Sequence, residues 1–472
     1  MMRRFVLLLT ATSLGACSMA PKYVRPELPV SASWPAGDSY LKQSEATLPA
    51  VTYRDIFRDP RLQGLIEQAL ANNRDLRIAA ANIVAARSQY RIQRAQLLPQ
   101  VGASAGVTRS DSGNGGDARN NFSVNGGISA FEIDLFGRIQ SLSTAAQNSY
   151  FATEAAARAT RLALVGDIAT VWLNYAADKS LLAIAQDTAA NAQRSVTLTR
   201  ARLEGGIAPR TDLSQAETVL ASAQSDLAQQ TTNLAQDINA LQLLVGAPID
   251  SSALPTSIDE AAGTIAELPA GLDSGVLLRR PDVVQAEYQL RSANAEIGAA
   301  RAALFPRISL TAVLGLASGS LGELFKGGSF NYSTGANASY SIFNAGAGRA
   351  NVRLSEAQRD AALAGYERSI QTAFREVADA LARRGTIGEQ TRANQALTAA
   401  AADSYRLSDA RYRGGIDTFL QSLVAQRTYY SAQQQLIATR LTAAANLVTL
   451  YRVLGGDSTL DATTAGPKPV AP

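Results

Sequence analysis

The residues that usually carry catalysis and metal binding are scarce in this chain, whose 472 residues include no histidine and a single cysteine, Cys17. The missing imidazole removes the usual general base near neutral pH and the commonest nitrogen ligand for zinc, copper or iron. One thiol builds neither a disulfide nor a thiolate cluster. The glycine pairs precede no Lys-Ser or Lys-Thr, so the nucleotide-phosphate loop is missing too. Glycoside cleavage needs only two carboxylates, yet no compact pocket-bearing domain can be read around such a pair. No catalytic residue, metal site or cofactor is expected. The charges whose spacing repeats lie elsewhere. ARLEGGIAPRTDL at 201–213 returns as ARYRGGIDTFL at 410–420. This sets Arg202, Glu204, Arg210 and Asp212 around Gly205-Gly206, and Arg411, Tyr412, Arg413 and Asp417 around Gly414-Gly415. A helix that reverses direction needs a residue tolerant of positive φ, so both pairs read as helix-to-helix turns.

Long helices must carry those turns. Apolar residues are 46% of the chain but aromatics only 6%, and alanine supplies much of the difference, which favours close-packed helices over a bulky core. Between Pro99 and Pro209, and again between Pro306 and Pro467, few breakers interrupt a helical apolar spacing. Leu162, Val165, Ala169, Trp172 and Ala176 form one seam, and Ile370, Ala373, Val377 and Ala380 another. An unbroken helix from Arg138 to Glu204 would be roughly 100 Å long. The net charge of +4 is scattered without a basic block, so nucleic acid is not an expected partner.

The chain is duplicated. Asn73-Arg74-Asp75-Leu76 aligns with Arg280-Pro281-Asp282-Val283 and Arg94 to Pro99 with Arg301 to Pro306, both 207 residues apart, while the glycine turns are 209 apart. After each matched proline the apolar period becomes two. Phe330, Tyr332, Ala336, Ala338, Tyr340 and Ile342 alternate with Asn331, Ser333, Asn337, Ser339 and Ser341. Ile308, Leu310, Ala312, Leu314 and Leu316 do the same, with weaker copies at 100–109 and at 121–134, where Phe122, Val124, Ile128 and Ala130 share a face. Four strands of about ten residues suit either a covered soluble sheet or a membrane barrel. Lipid tolerates no open sheet edge, so four strands in a membrane need further copies, and three copies would leave a lumen.

The N-terminus MMRRFVLLLTATSLGAC has the charge, apolar stretch and small-residue end of a secretory signal. Leu14 to Cys17 resembles a lipobox, which makes Cys17 the expected lipidated first residue of the mature chain. Cys17, Pro21-Lys22-Tyr23-Val24-Arg25-Pro26, the prolines 99 and 306, the two glycine turns and Leu454-Gly455-Gly456 together resemble the TolC-like outer membrane factors of the NodT lipoprotein type.

The resemblance implies a mainly α protein with a transmembrane β portion. A homotrimer would form a twelve-stranded barrel, a periplasmic helical tunnel, and a mixed belt drawn from about 40–60, 246–275 and 455–465. The implied function is passive export from the outer membrane of a Gram-negative bacterium, with a periplasmic adaptor (membrane fusion) protein, an inner-membrane pump of the RND type and outer membrane lipids as partners. The expected organisation is a signal at 1–16, a lipidated extended segment at 17–60, a first repeat at 61–245 and an equatorial linker at 246–273. A second repeat at 274–454, with strands near 307–317 and 329–343, precedes a tail at 455–472. Exposed charges at helix ends are ordinarily just solvated, but threefold repetition turns each into a ring. Asp212, Tyr412, Arg413 and Asp417 are therefore the gate candidates, and Gly205, Gly206, Gly414 and Gly415 the tips that meet the adaptor. Leu423-Val424-Ala425-Gln426 has valine where family members carry an aspartate. A periplasmic coiled-coil scaffold lipoprotein and a carboxylate-dependent cell-wall enzyme are the rival readings.

Overall fold

The computed structural model describes residues 18–31, 33–35, 37, 52–111, 118–267 and 274–456. The signal, Cys17 and parts of the expected belt (40–51, 268–273 and 457–465) fall outside them. The chain divides into two compact units. The helices are α1 (Tyr53–Ile56), α2 (Pro60–Asn72), α3 (Arg74–Ala95), α4 (Arg138–Glu204), α5 (Arg210–Val245), α6 (Ile258–Gly263), α7 (Pro281–Ala302), α8 (Ala347–Arg413) and α9 (Phe419–Val453). The strands are β1 (Val101–Ser110), β2 (Arg119–Ile133), β3 (Arg307–Ser318) and β4 (Phe330–Ser339). None of the described helices is long and apolar enough to cross a membrane.

The unit built from Met1–Pro26, Asn82–Glu154 and Gln285–Tyr366 holds one antiparallel sheet of order β1-β2-β3-β4. Its register collects the apolar side chains into lateral rows. Ala105, Val124, Leu316 and Phe330 lie in line, as do Ala103, Gly126, Leu314 and Tyr332. The opposite face carries Ser104, Asn125, Gly315 and Asn331. One feature departs from the alternation. At Ser129 and Ala130 two residues of β2 stand opposite Thr311 alone, and Ala130 adopts φ 55°. This bulge takes Ala130 off the face expected of it and gives the apolar row to Phe131 and Ile133, opposite Leu310 and Ile308. β4 ends at Ser339, so Tyr340 and Ile342 lie beyond it.

In the same unit the N-terminal segment is strapped along α7. The Arg25 guanidinium donates to both oxygens of Glu287 (3.3 and 2.7 Å), the Tyr23 hydroxyl donates to Oε1 at 3.1 Å, and Arg291 adds two more bonds. Glu287 is buried, so five donors offset the cost of removing its charge from water.

The unit built from Glu27–Ala81, Ala155–Val284 and Glu367–Pro472 contains the main core. All nine seam residues are buried, and the five from α4 belong to that core, with Trp172, Val165, Ala169 and Ala176 wholly enclosed. Phe57 pairs with Ile265 in a single antiparallel bridge and meets Tyr451 edge-on at 5.3 Å. α4 and α8 are each 67 residues long. Each turns back, at Gly205-Gly206 and Gly414-Gly415, into the shorter helix that comes after it.

Candidate functional site

The two turns are built alike. Gly206 (φ 72°) donates its N–H to Leu203 O at 3.0 Å, and Ile207 donates to Arg202 O at 2.8 Å. Gly415 (φ 73°) donates to Tyr412 O at 3.0 Å, and Ile416 to Arg411 O at 2.9 Å. Bonds spanning six residues and, inside them, four are the Schellman ending of a helix. Only the second glycine of each pair has left-handed φ. A Cβ on Gly205 or Gly414 would meet nothing nearer than a carbonyl oxygen at 3.4 Å. Pro209 and Thr418 then open the outgoing helices from the same backbone conformation, φ −75° and ψ 156°.

The side chains around the turns divide the work unevenly. Tyr412 is buried in a small cluster with Val196, Ala216, Phe419 and Leu423. Its ring lies 5.2 Å from that of Phe419, and its hydroxyl 3.3 Å from that of Thr199 on α4. Arg202, also on α4, reaches across to the end of α8. Its guanidinium covers the Tyr412 ring at 4.6 Å and donates to Tyr412 O (3.1 Å) and Arg413 O (2.9 Å). A cation on the last carbonyls of a helix satisfies acceptors that have no helical partner and complements the helix dipole. This cross-hairpin latch centres on Arg202, which the gate candidates read from sequence left out.

Arg411 occupies the repeat position of Arg202 but folds back on its own turn, binding Asp417 through two bonds of 2.5 and 3.0 Å. The first turn has Ala208 at the position of Asp417, so Arg202 finds no carboxylate there and is left to reach over. Arg411 holds the Asp417 carboxyl below the usual aspartate range. A depressed pKa means the pair stabilises the turn above the ordinary aspartate pKa, and that contribution is lost as pH falls through the lowered value. Arg413 is exposed and pairs with Asp409 one turn back at 2.8 Å. Asp212 sits in the first turn of α5, half-buried, with no ion pair among the described residues. Of the four gate candidates, Tyr412 is the one whose side chain is seen to hydrogen-bond and pack across to the other hairpin among the described residues. Among the described residues no cluster of His, Cys, Asp and Glu could hold a metal ion.

A four-stranded antiparallel sheet and two long helical hairpins, written as a tandem repeat, define the protomer of a TolC-like outer membrane channel. Among solved structures, a membrane protein from Pseudomonas aeruginosa matches with a TM-score of 0.86 at 38% identity, covering 93% of this chain and 100% of that one. The open state of the Neisseria gonorrhoeae MtrE outer membrane channel matches with a TM-score of 0.83 at 35% identity, over 93% and 98%. The toluene efflux pump outer membrane protein TtgC of Pseudomonas putida is 44% identical over 460 residues, 95% of this chain and 94% of that protein. The model of the outer membrane efflux protein family fits twice, at 65–247 and 273–456, once per repeat. The chain belongs to the outer membrane efflux protein family.

Proposed function

We propose that this protein is the outer-membrane exit duct of a tripartite efflux system, a homotrimer that passes solutes delivered by a periplasmic adaptor and an inner-membrane pump of the RND type. The observation that carries this is the sheet. Its rows of apolar side chains suit lipid, yet β1 and β4 each present an unpaired edge among the described residues. Unpaired backbone groups are costly in a bilayer, and pairing β4 of one copy with β1 of the next removes every edge once the ring closes. Three sheets give twelve strands, wide enough for a water-filled lumen. α3 is consistent with this assembly: its 22 residues include none that is buried within the protomer, and Ile78, Val84 and Ile92 stand exposed.

In the trimer the turns at Gly205-Gly206 and Gly414-Gly415 lie at the adaptor-facing end. Asp212, Tyr412, Arg413 and Asp417, together with Arg202, hold its resting state, and Cys17 carries the lipid anchor. The duct supplies no energy, and solvents of the toluene class, the cargo named for a relative, are the first to try. The decisive experiment is native mass spectrometry of the detergent-extracted protein, followed by reconstitution in planar bilayers. Three chains, each lipid-bearing and beginning at Cys17, with a discrete conductance, are expected. A water-soluble monomer without conductance would overturn the reading.

A further inference from the structure

The first hairpin contains a pair of carboxyl groups with no structural counterpart in the second. Asp237 lies on α5 between Leu234 and Leu241, one helical step from each, and Asp178 lies on α4 between Tyr175 and Leu181–Leu182. Leu234, Leu241 and Tyr175 belong to the apolar cluster of the main core, and the half-buried Leu181 and Leu182 pack against it. The two carboxyls are within hydrogen-bonding reach of each other. Oδ2 of Asp237 is shut off from solvent, and no donor reaches it. Two acceptors that face each other in an apolar seam, without a donor, repel unless a proton lies between them.

Among the described residues, no cation pairs with either carboxyl in its place. Asp178 is the titratable group that acts on Asp237, and Asp237 is the one that acts on Asp178 and on Tyr175. Arg61 of α2 is turned to Asp59 and Glu260, and Arg440 of α9 to Asp259 at 2.5 Å. Lys179 is exposed and makes no ion pair with either carboxyl among the described residues. Burial, and then the Asp178 charge, push Asp237 up to about 6, and burial pushes Asp178 up as well.

The second hairpin shows that the fold does not require acids here. The repeat positions are Ile387, which is buried, and Asn446, whose amide donates to Ala380 O at 3.1 Å. A neutral isostere of a protonated aspartate thus occupies the place of Asp237.

We propose that Asp178 and Asp237 share one proton and form an acid-sensitive clasp between the arms of the first hairpin. With a proton taken up from solvent, the O–H of one carboxyl donates to an oxygen of the other and pins α5 to α4. When the proton leaves, two carboxylates remain in the seam and the arms loosen. Linkage sets the sign: a carboxyl whose folded pKa is raised stabilises the fold below the ordinary aspartate pKa, and that stability is lost as pH rises through the folded value.

The test is an infrared titration of the full-length detergent-solubilised protein between pH 4 and 8. A protonated-carboxyl C=O band that disappears near pH 6, and that is absent from both D178N and D237N, is expected. In parallel, the melting temperature of the native protein should fall between pH 5 and 7, and that of D237N should fall by less. Asn446 indicates that D237N will fold, and the titration of the unaltered protein stands without it. The clasp is overturned if no band titrates above pH 5, or if the band survives in both variants. It is also overturned if added calcium at fixed pH removes the band, which would place a cation in the gap.

Discussion

At the scale of the residue, the turns separate glycines that the backbone needs from glycines that it tolerates. A left-handed φ costs an ordinary residue about 1 kcal/mol or more. Gly206→Ala and Gly415→Ala should each lower stability by about that amount, whereas Gly205→Ala and Gly414→Ala should be near neutral, as thermal unfolding in detergent would measure. Arg202 is the side chain with most to lose. Arg202→Ala removes two charge-assisted bonds to the end of α8 and the cover over Tyr412, about 2 kcal/mol of cross-hairpin attachment. Single-channel recording should show a higher resting conductance in Arg202→Ala and a smaller rise in Arg202→Lys, which keeps the charge but loses the planar fork. The clue to Arg202 was in the sequence, since Ala208 denies it the carboxylate that Asp417 gives Arg411. Noticing it requires comparing the repeats for what each lacks. The burial of Tyr412 was harder to read, because two arginines flank it in a stretch that looks like surface.

At the scale of the element, strands, helices and hairpin turns could be read because each rests on a local period or a breaker. The β2 bulge interrupts such a period. SVNGGI and FEI are each in step, but Ser129 and Ala130 between them shift the phase by one residue, and only the partner strand reveals it. Faces decide tolerance. Leu314→Arg, in an apolar row, should cost about 2–4 kcal/mol if it lies near the middle of the bilayer, while Ser333→Arg on the wet face should assemble normally; heat-modifiable mobility of the trimer would distinguish them. The strap on α7 could not be read from sequence, since Tyr23, Arg25 and Glu287 meet across more than 260 residues. Arg25→Ala leaves a buried carboxylate short of two donors and should destabilise the protein by about 3 kcal/mol, and adding Glu287→Gln should recover part of that loss in a double-mutant cycle.

At the scale of the whole molecule, the duplication makes the fold readable and also hides its asymmetries. Two repeats announce two hairpins and two strand pairs, but the latch at the turns and the carboxyl pair in the seam both arise where the copies differ. The equal length of α4 and α8 has a consequence for how such a chain can change. Each added helical residue advances the remainder of its helix by about 1.5 Å and rotates it by roughly 100°. One alanine inserted in the middle of α4 should therefore swing Arg202 off the Tyr412 ring and raise resting conductance as its removal does, while a matched insertion in α8 should restore much of the contact. Insertions and deletions in the two arms are coupled events. The hairpins can drift freely in composition, but they can lengthen only in pairs.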